Sequence, residues 1–122
     1  MPARRTARLL PLLLAGCGAI AQLKGYDGRW TGMLKPEAGT CQPSHATLTV
    51  GGRAFSFAPD DGVLVLHGTI APDDTLHAVL PLLGPNHTPF PLTLDGRLSR
   101  TGFTGLYTTP KCRAEVTLSP AG

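Results

Sequence analysis

Glycine and proline punctuate this chain so often that a helix has no room to form. The 122 residues include 15 Gly and 12 Pro. Beyond residue 25 they cut the sequence into short runs, and no window there shows a capped 3.6-residue periodicity. The runs are rich in β-branched, aromatic and aliphatic side chains. Short strands at this spacing, separated by turn residues, predict an all-β barrel or sandwich.

Eight strands are expected. The first is at about 28–35, with Trp30 and Leu34 on one face. The second, about 45–50, turns Ala46, Leu48 and Val50 inward, and Gly51-Gly52 follows as a two-residue hairpin signal. The third, about 53–58, aligns Phe55 and Phe57. The fourth, about 63–70, is apolar on both faces, so its inner side is not assigned. The fifth, about 75–83, aligns Leu76, Ala78, Leu80 and Leu82, with Pro81 marking a bulge or an unpaired edge. The sixth, about 88–95, turns Phe90, Leu92 and Leu94 inward. The seventh, about 100–108, alternates Phe103, Gly105 and Tyr107 with Thr104 and Leu106. The eighth, about 112–118, puts Ala114, Val116 and Leu118 inside and Arg113, Glu115 and Thr117 outside. No connection is long enough for a crossover helix. The expected topology is a small antiparallel up-and-down barrel of about eight strands, closed so that neither edge is left open. A two-sheet β-sandwich is the alternative.

The N-terminus carries a different message. Arg4, Arg5 and Arg8 precede the apolar run Leu9 to Leu14, which is interrupted by Pro11. That run is far shorter than the roughly 20 apolar residues of a membrane-spanning helix, so it reads as a secretory signal. It ends in Leu14-Ala15-Gly16-Cys17, which resembles the lipobox of bacterial lipoproteins. The resemblance implies cleavage before Cys17 and attachment of acyl chains such as palmitate to that cysteine. The domains expected are a signal peptide over 1–16, a lipidated cysteine and tether over 17–25, and one β domain over 26–122. Gly18, in place of Asp after the cysteine, points by analogy to the periplasmic face of an outer membrane.

Charge and cysteines follow from that reading. The chain has 11 Lys+Arg against 8 Asp+Glu. Loss of the three signal arginines leaves the mature chain formally neutral, with no nucleic-acid footprint. Cys41 and Cys112 remain, and in an oxidising compartment they are expected to pair as a disulfide. Two free thiols or a metal pair is the alternative. Barrel closure sets the first strand beside the eighth, so the bond would tie the last strand to the first loop.

The start Gly28-x-Trp30-x-Gly32, with later glycine-rich hairpins such as Gly102-Phe103-Thr104-Gly105, is similar to small eight-stranded barrels of the avidin type. It also resembles a group of small exported bacterial proteins with an early Trp and two cysteines. Avidin-type biotin pockets are lined by several tryptophans, whereas this chain has one, so biotin binding is not carried over. Envelope lysozyme inhibitors are likewise small lipidated barrels with a disulfide, but their S-x-x-G-x-x-Y signature is not found.

Few residues invite chemistry. His45, His67, His77 and His87 are scattered; His67 and His77 flank one turn, but a metal site needs further ligands. Asp60-Asp61-Gly62 and Asp73-Asp74 are fragments of calcium loops without the rest of the pattern, and turn chemistry explains them. Ser44, Ser56, Ser99 and Ser119 lie in no nucleophile motif. No enzymatic activity, cofactor or metal is expected. Trp30, Phe55, Phe57, Phe90, Phe103 and Tyr107 either line an internal pocket for a small apolar ligand or fill the core. Thr104, Leu106 and Thr108, with Tyr26, offer a surface for a protein partner. The expected function is an envelope-anchored, non-enzymatic binding or interaction module, an inhibitor or accessory protein. A carrier of a small apolar ligand inside the barrel is the alternative.

Overall fold

The structure is a computed structural model that describes residues 25–60 and 62–121. The signal segment, Cys17 and the tether through residue 24 lie outside the described residues, as does Asp61.

Eight strands form a single sheet: β1 (Gly28–Gly39), β2 (Ser44–Gly51), β3 (Ala54–Pro59), β4 (Leu66–Thr69), β5 (Thr75–Leu80), β6 (Leu92–Leu98), β7 (Phe103–Thr109) and β8 (Cys112–Pro120). Their spatial order is β4-β3-β2-β1-β8-β7-β6-β5, every neighbouring pair being antiparallel. The sheet rolls into a nearly closed barrel. The first and last strands meet along nine registered positions, from Trp30–Pro120 to Gly39–Cys112. The imperfect seam falls elsewhere, between β4 and β5, which share only the isolated bridge Ile70–Leu76.

Alternation places the core. Along β2, Ala46, Leu48 and Val50 are buried, and along β8 Ala114, Val116 and Leu118 are. The cluster gathers Trp30, Leu34, Phe55, Phe57, Phe103 and Tyr107 with aliphatic residues from β2, β4, β5, β6 and β8, and no polar residue among those described is buried. Leu66 on β4 and Ile70 just beyond it mark the inner face that the two-sided apolarity of this run concealed. Inward glycines let the strands approach and bend. A Cβ on Gly32 would stand 2.0 Å from the Thr117 carbonyl oxygen of β8, so only glycine fits where those strands are pressed together.

Several boundaries differ from the sequence expectation, each for a backbone reason. β1 runs on to Gly39 rather than ending near 35, because pairing with β8 carries it past Pro36 and a register shift between Pro36 and Ala38 absorbs Glu37. β5 stops at Leu80, before Pro81. β6 occupies Leu92–Leu98 rather than 88–95. Pro89 and Pro91 have no N–H to donate to a ladder, so residues 81–91 form a short excursion around a 3-10 turn at Pro85–His87. Gly96 stays inside β6, opposite Gly105, and the turn falls at Ser99–Gly102, where Ser99 N–H donates to the Gly102 carbonyl at 2.8 Å. β4 begins only at Leu66, leaving Val63 and Leu64 in a loop.

The Cys41–Cys112 disulfide is present, with Cα atoms 5.5 Å apart across 71 residues of sequence. It fastens the β1–β2 loop to the start of β8. In the chain-entropy view such a loop stabilises the fold by about 4 kcal/mol.

Candidate functional site

The two ends of the barrel are unlike. At one end, the described chain begins and the β2–β3, β4–β5 and β6–β7 turns gather. The Trp30 indole N–H donates to the Tyr26 carbonyl at 2.9 Å, and the two rings meet edge to face, centroids 6.3 Å apart. Asp27 Oδ1 accepts the Gly52 N–H at 2.9 Å, which pins the start of the domain to the β2–β3 turn. The β4–β5 turn is laced from both sides. Arg53 donates to the Ala71 carbonyl at 2.6 Å, Arg97 donates to the Asp73 carbonyl at 3.0 Å, and Leu98 N–H donates to the Asp74 carbonyl at 3.0 Å. The Asp74 carboxylate accepts the Tyr26 hydroxyl, which raises that phenol above its ordinary value. This end is closed.

The other end is open. β1 pairs with β2 only as far as Leu34–Ser44, then follows β8 alone. The divergence leaves a half-open cavity of about 540 Å³ beneath the β1–β2, β3–β4 and β7–β8 connections. Leu34 and Tyr107 line its floor. One wall comes from the β7–β8 turn and the disulfide: Thr109, Lys111, Cys112 and Cys41. The facing wall comes from Pro59, Asp60, Val63 and Leu64, while Thr40, Gln42, Pro43 and Ser44 complete the rim.

Local chemistry makes the first wall stiff. Thr109 Oγ1 accepts the backbone N–H groups of Lys111 and Cys112 at 3.0 and 3.1 Å, and Thr40 N–H donates to the Lys111 carbonyl at 3.2 Å. On the facing wall two apolar residues are exposed: Val63 is 77% and Leu64 39% accessible. Tyr107 is 7% exposed and tilts onto Phe57, ring centroids 5.8 Å apart. Burial pushes its phenol up, so it stays a hydrogen-bond donor at neutral pH. The hydroxyl has no protein partner among the described residues.

The six aromatics singled out in the sequence divide. Trp30, Phe55, Phe57 and Phe103 are packed within the core, and Phe90 lies half-buried against it after the β5–β6 excursion. Tyr107 alone of the six lines the open end. The interior is filled by side chains such as Phe57, Phe103, Leu48 and Leu94, all fully buried. His67 and His77 stand outward on β4 and β5. His77 Nδ1 meets Asp95 Oδ1 at 2.5 Å across the β5–β6 register. No group of three or more His, Cys, Asp or Glu side chains able to hold a metal occurs among the described residues. Thr104 is exposed on β7, whereas Tyr26 is half-buried against Trp30.

Sequence reading missed the rim. Val63 and Leu64 were expected in a strand, and Thr40, Gln42, Pro43, Ser44 and Lys111 carried no motif. One signal was present: Val63 to Leu66 is an unbroken apolar run just after a turn, more than one inner strand face can use.

Compared with protein-family models, with curated proteins and with solved structures, the chain matches none.

Proposed function

We propose that this chain is an envelope-anchored, non-enzymatic binding module that works through the open end of its barrel. The observation that carries the reading is the placement of the 540 Å³ cavity at the end opposite the one where the described chain begins. Cys17, in the lipobox, precedes Gly25 by eight residues. An extended chain of that length reaches at most about 29 Å. A lipid there holds the closed end near the membrane surface and turns the open end away from it. Gly18 after the cysteine favours the periplasmic face of an outer membrane. The volume is in the range of small-ligand sites, about 300–1,000 Å³. The packed interior argues against the alternative of a carrier with its ligand deep inside the barrel.

Two measurements test this. Native mass spectrometry of protein purified from its own envelope should show acylated Cys17, together with a two-proton gain on reduction. A photoreactive amino acid at Leu64 should cross-link an occupant in living cells, while one at Val79, exposed on the outer face of β5, should not. An unacylated chain would remove the anchor. Equal cross-linking from both positions, or none from Leu64, would remove the open end as the working surface.

A further inference from the structure

We propose that the open end takes a single-chain aliphatic carboxylate, of the size of a medium-chain fatty acid, with its head on the β7–β8 wall and its alkyl chain along the β3–β4 wall. The inference rests on the reading of this end as the binding surface and adds the chemistry of the occupant.

The cavity is polarised across its width. Tyr107 lines the cavity, and its protonated hydroxyl has no protein acceptor among the described residues. A charged ligand oxygen would accept from that hydroxyl in place of water, the stronger of the two partners. Lys111 stands on the same wall, two positions past Thr109, and supplies the cation. Together they offer one neutral donor and one charged donor, which suit a carboxylate. Across the mouth the chemistry reverses. Val63 and Leu64 present exposed apolar surface, and burying it against an alkyl chain is favourable. Asp60, beside them, repels an anionic head from that side and fixes the ligand's orientation. A cationic amphiphile would meet Lys111 where its head should sit. An alkyl alcohol would satisfy Tyr107 and leave Lys111 unused.

The test uses the full chain carrying Cys17→Ser, so that no covalent acyl group competes, and isothermal titration with decanoate below its micellar concentration. One decanoate should bind per chain. Tyr107→Phe, which keeps the ring and removes only the hydroxyl, should weaken binding about tenfold. Lys111→Gln, at an exposed turn position, should weaken it about threefold while leaving decanol unaffected. Leu64→Asp should abolish binding, and decyltrimethylammonium should not bind. Circular dichroism of each variant checks the fold. No heat with decanoate, unchanged affinity in both Tyr107→Phe and Lys111→Gln, or equal binding of the cationic amphiphile would overturn the assignment. Loss of decanoate binding with cross-linking from Leu64 intact sinks the carboxylate and leaves the binding end standing. Decanoate binding with no occupant captured from Leu64 in cells does the reverse.

Discussion

The ring of Phe103 lies over the inward face of Gly96: a Cβ built on that glycine would stand 2.4 Å from Phe103 Cζ. Gly105, the partner of Gly96 across the β6–β7 ladder, is covered by the same ring, with its Cβ position 2.7 Å from Cζ. One phenyl group thus replaces two missing side chains and lets both strands bend beneath it. Gly→Ala in a strand is ordinarily favourable by roughly 0.5–1 kcal/mol. Here Gly96→Ala should instead destabilise by about 1–3 kcal/mol through overpacking. Urea unfolding should show this, and Phe103→Leu in the same chain should recover part of the loss. Additive effects of the two substitutions would refute the packing relationship.

Removing the disulfide should be costly in stability and mild in topology. Cys41→Ser/Cys112→Ser should lose about 4 kcal/mol while keeping the β spectrum, because β1 and β8 remain paired along nine positions. The midpoint of urea unfolding with and without reductant measures it. The structural change should concentrate at the open end, where both cysteines form part of the wall.

Asp73 should make the protein acid-sensitive. The Thr75 hydroxyl and then the Thr75 N–H donate to its carboxylate at 2.7 and 3.2 Å and hold its pKa below the ordinary 3.8. The folded state therefore takes up this proton later than the unfolded chain as pH falls. The stabilisation is present above about pH 4 and is lost as pH drops through the lowered folded value. Asp73→Asn should be less stable than the parent at neutral pH, with the difference closing in acid. Denaturant midpoints across pH 2–7 (about five points) decide it, and a gap that is constant with pH counts against the pairing.

Tyr107 should act in the opposite pH range. Burial raises its pKa above 10.0, so the unfolded chain loses this proton first as pH rises. Stability linked to Tyr107 is complete below that value and declines above it. Tyr107→Phe should therefore flatten the alkaline decline of stability. Ultraviolet titration of phenolate should show one late-titrating tyrosine fewer, with Tyr26 remaining. An unchanged alkaline slope in the variant would place the sensitivity elsewhere.

Much of the barrel was readable from parity alone. Wherever apolar and polar residues alternate, as in Ala46-Leu48-Val50 or Ala114-Val116-Leu118, the inward set is the buried set. Legibility ended where alternation ended. Leu66 and Ile70 sat in a run that was apolar on both faces, so nothing local chose between them and their neighbours. Leu98 is buried at the end of β6 because Phe103 pairs opposite it, a tertiary fact that Gly96 disguised as a break. The open end was least visible. It exists because β1 leaves β2 after Leu34, and that divergence is fixed by pairing with a strand some eighty residues later. No motif in Thr40-Cys41-Gln42-Pro43-Ser44 records it. The pairing of the two cysteines was legible because reading Cys17 as part of a lipobox left Cys41 and Cys112 to pair with each other.

The strand order has a kinetic consequence. The middle of the sheet is where the first strand meets the last, and Ala121 N–H closes the arrangement by donating to the Arg29 carbonyl at 2.8 Å. The sheet's two flanks, β2 to β4 and β5 to β7, are built from local hairpins. They are free to form early as separate halves. Joining them requires both termini of the domain, a contact of high sequence separation and correspondingly slow closure. A chain made from its N-terminus therefore cannot complete this barrel until its last strand is available to pair with its first.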